Sequence, residues 1–422
     1  MADLKTNFAG IECPNPFWLA SAPPTNTGYQ VMNAFCAGWG GAVWKTLGKP
    51  VVNVSSRYSA VSYKNSRMIG LNNIELITDR PLEINLKEMK EVKERFPKHA
   101  LIASMMFETK EEWQDCVKRC EDIGIDGFEL NFGCPHGMCE RGMGSAVGQN
   151  PDVCERITSW VTEVAKKPVI VKLTPNVTDI TKPALAAQRG GAKAVSLINT
   201  INSVTGINID TMEPNPSVGG LSTHGGYCGP AVKPIALNML SEVRNHPDFH
   251  LPVSGIGGIE SWQDAVEFFL MGASTVQVCT AVMHYGFRII GDLKEGLNDY
   301  LDSHKMKKVS DLTGIAAKKL RKWEELDLNY KIIAHISPDT CIGCQLCYAA
   351  CEDGAHQSIT LVPGVRVPKI KEDTCVGCNL CSLVCPVENC ITMVPAGAGK
   401  PKLVWADHPK NPNQLKSYKS LT

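Results

Sequence analysis

Eight of the 18 cysteines in this chain fall into two runs with the same C-x2-C-x2-C-x3-C spacing. The runs are CIGCQLCYAAC, from residue 341, and CVGCNLCSLVC, from residue 375. In such a run the short loop binds one 4Fe-4S cluster with three thiolates, and the fourth thiolate ligates the neighbouring cluster. The spacing therefore predicts two 4Fe-4S clusters. One is bound by Cys341, Cys344, Cys347 and Cys385, and the other by Cys375, Cys378, Cys381 and Cys351.

Two other uses of clustered cysteines fit this spacing less well. Structural zinc sites use two separated pairs of ligands that close a tetrahedron. Structural disulfides need an oxidising compartment, and the remaining cysteines are scattered without a disulfide framework. We therefore interpret the two runs as cluster ligands, and the chain as one that transfers electrons.

The composition argues against several classes of partner. The 43 basic and 43 acidic residues cancel, so net charge favours neither nucleic acid nor an anionic membrane. The first residues, MADLKTNFAG, lack the apolar stretch of a signal peptide. No run approaches the ~18 apolar residues that a membrane span needs. Ten further cysteines without a disulfide framework are consistent with reduced thiols. Together these features predict a soluble cytoplasmic protein.

Short apolar runs alternate with longer helical segments over residues 1–300. Continuous apolar runs indicate strands that are buried on both faces of a parallel sheet. Eight such units predict an α/β fold of the TIM (β/α)8 barrel type, with an open doubly wound sheet as the alternative. The predicted strands lie in 17–23, 42–48, 101–107, 127–134, 168–175, 194–200, 251–259 and 274–282.

The same pattern divides the chain into four predicted segments. Residues 1–300 form the barrel, and 301–332 form a helical connector that is rich in Lys, Leu and Glu. Residues 333–394 form a small ferredoxin-like domain that holds the two clusters. Residues 395–422 form a C-terminal tail.

Two lysines lie inside the apolar runs, near the ends of predicted strands where barrel active sites are found. Lys45 and Lys172 have no easy route to solvent, so snorkelling explains them less well than a buried anion does. A reduced flavin or a phosphate supplies such an anion. Two glycine pairs, Gly225-Gly226 after the sixth strand and Gly257-Gly258 after the seventh, let backbone N–H groups approach a phosphate near Thr280. Turns alone explain most glycine pairs, but the joint position predicts an FMN site.

Cys134 lies in a Gly-Cys-Pro turn directly after the fourth predicted strand. A small buried hydrophobe is the ordinary interpretation of such a cysteine. This turn, however, should project the side chain into the barrel mouth, where a protonated thiol can deliver a proton. His136, Cys139 and Glu140 follow in the same loop, and we assign them no role.

Three asparagines, Asn73, Asn131 and Asn199, and Thr200 are further candidates for ligand binding. Each carboxamide offers one acceptor and two donors, which match the alternating N–H and C=O groups of a planar imide such as uracil. Asparagine is also a common turn residue, and the spacing alone leaves both explanations open.

Several segments resemble dihydropyrimidine dehydrogenases of the two-subunit bacterial type, and the C-terminal part of the long single-chain enzymes. They are NFGCPHGMCERGMG, KLTPNVTDI, INTINSVTGI, GYCGPAVKPIAL, GIGGIES, VQVCTAV and both cysteine runs. The resemblance covers nearly the whole chain in order. It implies an FMN barrel fused to two clusters that reduces the CH–CH bond of uracil and thymine in pyrimidine catabolism, with NAD(P)H as the ultimate donor.

The resemblance also implies roles for individual residues. Cys134 would donate a proton to pyrimidine C5, and the pyrimidine would be bound by Asn73, Asn131, Asn199 and Thr200. FMN would be held by Ala20, Ser21, Lys45, Thr46, Lys172, Gly226, Gly257, Gly258, Cys279 and Thr280.

The chain departs from the family in two respects. The family usually has Ser before the catalytic cysteine, where this chain has Gly133. Long single-chain members also carry an FAD and dinucleotide module, and no G-x-G-x-x-G follows any predicted strand here. We therefore expect a partner flavoprotein subunit to bind FAD and NAD(P)H, in a hetero-oligomer built on a homodimer.

Two alternatives belong to other functional classes. A dihydroorotate dehydrogenase-like enzyme would share the barrel, FMN and a similar cysteine loop, but the fused clusters and the CPHGM sequence favour the pyrimidine-reducing enzyme. A pure electron-transfer subunit would not need Cys134 or the asparagines.

Overall fold

The computed structural model describes residues 2–134 and 142–396. The chain forms two compact units, Met1–Leu320 and Arg321–Thr422. Within the described ranges, no helix is both long and apolar enough to cross a membrane. His136, Cys139 and Glu140, and nearly all of the predicted tail, lie outside the described residues.

Eight parallel strands close into a barrel in the described part of the first unit. Each strand pairs with the next barrel strand along the chain, and the eighth pairs with the first. Every predicted apolar run overlaps one strand, so the TIM barrel is confirmed and the open sheet is wrong. The strands are Phe17–Leu19, Gly41–Val43, Ala100–Met105, Gly127–Asn131, Val169–Lys172, Ala194–Leu197, Val253–Ile256 and Thr275–Val278.

A helix follows each barrel strand and packs its apolar face against the outside of the barrel. In the third of these helices, Trp113, Cys116, Val117 and Cys120 form the buried stripe at helical spacing. Thr109 caps the same helix by accepting a hydrogen bond from the Glu112 backbone N–H at 3.3 Å. The helices are Gly28–Ala37, Leu82–Arg95, Lys110–Asp122, Pro151–Thr162, Thr181–Arg189, Lys233–Asn245, Trp262–Leu270 and Ile290–Ser303.

An N-terminal hairpin covers the amino-terminal end of the barrel. Its strands, Thr6–Phe8 and Ile11–Cys13, pair antiparallel. Phe8 packs edge-to-face on Trp18, with ring centroids 5.5 Å apart, in a cluster with residues that begin other barrel strands. Because apolar side chains fill this end, polar chemistry is left to the carboxyl ends of the strands.

An antiparallel sheet that the sequence did not predict follows the second and sixth barrel strands. Its strand order is Ile201–Ser203, Gly225–Cys228, Ser66–Asn73 and Tyr58–Tyr63. A short hairpin, Ile207–Asn208 with Glu213–Pro214, extends from the same region. Both insertions leave the carboxyl ends of barrel strands, so they add residues to the edge of the site.

The second unit is built from two similar halves. The strand Ile332–Ile336 pairs antiparallel with Ile391–Pro395, and Ile359–Thr360 pairs with Lys369–Ile370. Each cysteine run ends in a short helix, Leu346–Gly354 or Leu380–Leu383. The two runs also share backbone turns with positive φ, at Gly343 and Gln345 in one run and at Gly377 and Asn379 in the other.

The segment predicted as a helical connector folds differently. After Ser303 it contains only single 3-10 turns, at Val309–Asp311, Ala317–Lys319 and Trp323–Glu325. Its first part joins the barrel unit, because the Ala316 N–H donates to the Leu270 carbonyl at 2.9 Å. Lys, Leu and Glu favour a helix locally, but these tertiary bonds hold turns instead.

Two glycines of the helix Ile290–Ser303 provide a test of this packing. A Cβ added at Gly296 would overlap the indole ring of Trp262, whereas a Cβ at Gly291 meets nothing. Gly→Ala in a helix favours folding by up to about 1 kcal/mol, but overpacking costs about 1–3 kcal/mol. We expect Gly296→Ala to lower the thermal midpoint by several degrees and Gly291→Ala to leave it unchanged or higher. Equal midpoints for the two variants would contradict the packing described here.

Candidate active site and cluster sites

A pocket of about 1140 Å³, including its solvent-open part, lies at the carboxyl ends of the barrel strands. It brings together residues that are far apart in sequence and that were predicted to bind a ring or a flavin. The predicted residues that line it are Ala20, Ser21, Lys45, Thr46, Asn73, Asn131, Cys134, Lys172, Asn199, Thr200, Gly257, Gly258, Cys279 and Thr280.

Gly226 is the predicted flavin residue that does not line this pocket. It lies in the antiparallel sheet, where its carbonyl accepts a hydrogen bond from Asn73 Nδ2 at 3.0 Å. A Cβ at Gly226 would overlap Thr200 Oγ1. The absence of a side chain at Gly226 therefore makes room for Thr200.

Asn131 is the centre of a polar chain in the wall of the pocket. Its Nδ2 donates to Thr46 Oγ1 at 3.0 Å, and its Oδ1 accepts from Asn199 Nδ2 at 3.0 Å. Thr46 also bonds to Ser104 Oγ at 2.9 Å and to Ser21 Oγ at 3.1 Å. Ser104, which sequence reasoning missed, anchors the chain from a buried position on the third strand. The bonds fix the orientation of two of the three predicted asparagines.

The turn before Cys134 is shaped by the missing side chain of Gly133. A Cβ at Gly133 would overlap the carboxamide of Asn199, and the Gly133 N–H donates to Asn131 Oδ1 at 3.2 Å. A serine side chain at residue 133 would therefore clash with Asn199 in its present position. Cys134 is buried beside Ile77, which gives its thiol an apolar surrounding at the pocket.

Each buried lysine of the pocket faces a carboxylate that sequence reasoning did not single out. Lys45 forms an ion pair with Glu75, which also accepts a hydrogen bond from the Tyr58 hydroxyl. Lys172 Nζ lies 3.8 Å from Glu129 Oε1, and Glu129 is fully buried. The sequence did carry a signal for Glu129. Alternate residues of a strand point to the same face, so Glu129 lies on the same face of the fourth strand as the predicted site residue Asn131.

Two thiols on the pocket wall are held in the neutral form. Burial raises the pKa of Cys279 to about 12, although Lys172 and Lys45 oppose this rise. Burial likewise raises the pKa of Cys228 to about 11, and the Thr280 hydroxyl bonds to its sulfur at 3.2 Å. At neutral pH both remain protonated, so they form part of the wall and do not act as nucleophiles.

The far side of the pocket suits a phosphate. Gly257 and Gly258 have φ values of +126° and +75°, a backbone conformation that other residues rarely adopt. A Cβ at Gly258 would lie 2.9 Å from the Gly229 carbonyl oxygen, so the backbones approach closely there. A glycine turn that lines the same pocket as two lysines fits the phosphate and ring of a flavin.

The second unit contains two cavities lined by thiols, of about 360 and 320 Å³. Each brings three cysteines of one run together with the last cysteine of the other run. Within the described ranges these thiols do not form a group of three or more that could hold a single metal ion, so the assignment of the ligands to two clusters stays a prediction. The first cavity is lined by Cys351, Cys375, Cys378 and Cys381, and the second by Cys341, Cys344, Cys347 and Cys385.

Comparison with known families divides the chain in the same way. Residues 3–301 match the family described as dihydroorotate dehydrogenase. Residues 334–393 match the 4Fe-4S dicluster domain. The barrel unit is thus similar to flavin enzymes, and the second unit is similar to iron–sulfur electron carriers.

Individual relatives span much or nearly all of the chain. The NAD-dependent dihydropyrimidine dehydrogenase subunit PreA of Escherichia coli K12 is 41% identical over 409 residues, which cover 96% of this chain and 98% of that protein. The chloroplastic dihydropyrimidine dehydrogenase (NADP(+)) of Arabidopsis thaliana is 42% identical over 74% of this chain and 76% of its own. The catalytic subunit of dihydroorotate dehydrogenase B from Pyrococcus horikoshii is 37% identical over 75% of this chain and 98% of its own.

Cys344→Ser tests the crossed arrangement of the thiols. Because Cys344 belongs to only one four-cysteine cavity, we expect iron content to fall toward half, with loss of one cluster signal in electron paramagnetic resonance spectra. Cys36→Ser, at an exposed cysteine of the barrel unit, should leave iron content unchanged. Full iron content in the Cys344 variant would contradict the ligand assignment.

Proposed function

We propose that this chain, which belongs to the dihydroorotate dehydrogenase family of oxidoreductases, is the catalytic subunit of a two-subunit dihydropyrimidine dehydrogenase. One observation carries the proposal. A single chain combines a polar barrel pocket with two four-cysteine cavities. The same combination, over 96% of the chain, aligns with a protein named as a dihydropyrimidine dehydrogenase subunit.

We assign FMN to the barrel pocket and two 4Fe-4S clusters to the cysteine-lined cavities. Bound FMN exchanges single electrons with clusters and transfers a hydride to an organic substrate. Lys45 and Lys172 supply positive charge next to the ring, and Gly257, Gly258 and Thr280 bind the phosphate. The remaining walls of the FMN site are Ala20, Ser21, Thr46 and Cys279.

Uracil and thymine are the substrates that we propose, held by Asn73, Asn131, Asn199 and Thr200. The described bonds use one N–H of each carboxamide, to the Gly226 carbonyl, to Thr46 and to Asn131. We assign the second N–H of each carboxamide to the ring oxygens of the pyrimidine. Because the polar chain already fixes two of these groups, the ring is held without much loss of side-chain entropy.

Cys134 is the group that we assign as proton donor to C5 of the ring. The thiol lies in the pocket, and the apolar side chains of Ile77, Met106 and Met143 surround it. The thiol is the form of cysteine that holds a proton to donate. Its proton balances the hydride that reaches the ring, so the product is the 5,6-dihydropyrimidine.

Reducing equivalents would come from a second polypeptide. We propose a partner flavoprotein subunit that binds FAD and NADH or NADPH and passes electrons to the clusters, in a hetero-oligomer built on a homodimer. The word subunit in the name of the E. coli relative supports this arrangement. A cytoplasmic location suits oxygen-sensitive clusters and a chain with 18 cysteines.

Dihydroorotate oxidation is the second candidate, and the similarity to the Pyrococcus horikoshii subunit favours it. The charges in the pocket favour a neutral pyrimidine instead. Orotate carries a carboxylate, but Lys45 and Lys172 each already face a glutamate in the described part of the site. A carboxylate on the ring would therefore have to share a lysine with Glu75 or Glu129, or pair with Arg57, whose Nε lies 3.8 Å from Glu75 Oε2.

Cys134→Ala tests the proton donor. We expect uracil reduction to fall by about 10²–10⁴-fold, the usual contribution of general acid catalysis. FMN and iron content should remain, because alanine fits the space of the thiol. Cys154→Ala, at a buried cysteine that faces the Pro183 carbonyl outside the pocket, is the matched control. Turnover by the Cys134 variant at the rate of that control would refute the assignment.

The missing dinucleotide motif makes a further prediction. The purified, cluster-replete chain alone should not oxidise NADH or NADPH in the presence of uracil, because no G-x-G-x-x-G follows a barrel strand. Anaerobic mixing, followed by flavin absorbance and product analysis, measures this directly. Rapid nicotinamide-driven bleaching of the flavin by this chain would show that it contains its own nucleotide site, and the two-subunit proposal would fail.

A further inference from the structure

Glu129 is the buried acid below the floor of the barrel pocket. It belongs to the fourth strand, is fully buried and does not line the pocket itself. Its Oε2 accepts hydrogen bonds from Ser196 Oγ and from Gln277 Nε2, both at 2.8 Å. Its Oε1 lies 3.8 Å from Lys172 Nζ. Two donors on one oxygen and an ammonium group near the other are the surroundings of a carboxylate.

Two of its neighbours, Lys172 and Gln277, do line the pocket. Glu129 therefore contacts both of them from the side opposite to any bound ligand. The bond from Gln277 Nε2 also fixes which end of that amide points away from Glu129. The oxygen end, Oε1, is buried and has no hydrogen-bond partner among the described residues.

A buried acceptor without a donor is unfavourable. The cost is removed when a ligand brings an N–H to the Gln277 oxygen. The imide N–H of a flavin ring is a donor of this kind. Glu129 Oε1 likewise has no hydrogen bond in the described structure, so its interaction with Lys172 is one of charge at 3.8 Å.

We propose that Glu129 is a positioning residue that sets the reduction potential of the flavin through Lys172 and Gln277. Its negative charge compensates part of the Lys172 charge, so the pocket stabilises an anionic reduced flavin less than Lys172 alone would. Its bond to Gln277 Nε2 fixes the orientation of that amide in the pocket wall. This inference rests on the proposed flavin site and extends it to a residue behind the pocket.

The proposal predicts opposite effects for the two members of the ion pair. Glu129→Gln replaces the carboxylate by an amide of similar size and leaves the Lys172 charge uncompensated, so reduced flavin should bind more tightly relative to oxidised flavin. Lys172→Met removes the positive charge and should have the reverse effect. Removing a buried charge a few ångströms from the pocket changes the ratio of the affinities for reduced and oxidised flavin by about tenfold or more.

The experiment measures the flavin midpoint potential by anaerobic dye titration, together with the dissociation constant of oxidised flavin. We expect the affinity ratio, reduced over oxidised, to rise at least about tenfold in Glu129→Gln and to fall in Lys172→Met. The double variant should lie between them. Thr275→Val removes the buried Thr275–Ser254 hydrogen bond of 2.9 Å in the same barrel interior, outside the pocket, and should leave the ratio unchanged.

A packing role for Glu129 predicts a different outcome. In that case Glu129→Gln would lower flavin content or stability without raising the potential, and an unchanged or lower potential overturns the proposal. Glu129→Asp, which keeps the charge, should retain a ratio near that of the wild type even if Glu129→Gln loses flavin. A tenfold change in the Asp variant would equally overturn it. A wild-type chain that binds no flavin would instead refute the proposed function.

Discussion

The pocket depends on keeping two lysine ammonium groups buried at the open end of a barrel. Moving an ammonium out of water costs several kcal/mol even after relaxation, and a partner charge recovers this only with good geometry. Lys45 is hydrogen-bonded to its partner Glu75, and Lys172 lies 3.8 Å from the buried Glu129. Apolar residues of similar size would often be as stable at these positions, so we attribute the two ion pairs to ligand binding.

The rest of the barrel is consistent with that constraint. The apolar cluster that contains Phe8 and Trp18 closes the amino-terminal end of the barrel, which leaves the carboxyl ends of the strands for polar groups. The polar chain through Asn131 and Thr46 extends from the buried Ser104 to the pocket wall. Gly133 makes room for Asn199 in this chain. One substitution at any of these positions would therefore change the orientation of several ligand-facing groups.

Much of this arrangement follows from local sequence. Continuous apolar runs predicted the barrel strands because strands buried on both faces lack polar alternation. The cysteine spacing predicted which four thiols share a cavity, because in this motif three thiols of one run lie together with the last thiol of the other run. Strand-end positions predicted most of the pocket, because the carboxyl ends of barrel strands converge.

What the sequence did not predict depends on contacts between distant segments. Glu129 and Gln277 meet across the barrel interior, on strands that are not neighbours. Glu75 enters the pocket through an inserted sheet whose pairing no local pattern shows. Gly226 was assigned to the flavin through the family resemblance, and its close approach to Thr200 is a contact that no local pattern predicts. The segment after Ser303 forms only short turns, and the Gly314 and Ala316 N–H groups donate to the carbonyls of Phe269 and Leu270, a contact between distant segments of the barrel unit.

The central claim is that one chain links electron-carrying clusters to reduction of a neutral pyrimidine. The most direct test is anaerobic incubation of the purified chain with a reduced viologen and either uracil or orotate, with product identification by mass spectrometry. Our account predicts that dihydrouracil forms and that orotate is not reduced. Formation of dihydroorotate, or no dihydrouracil from a chain whose flavin and clusters are reduced, would contradict it.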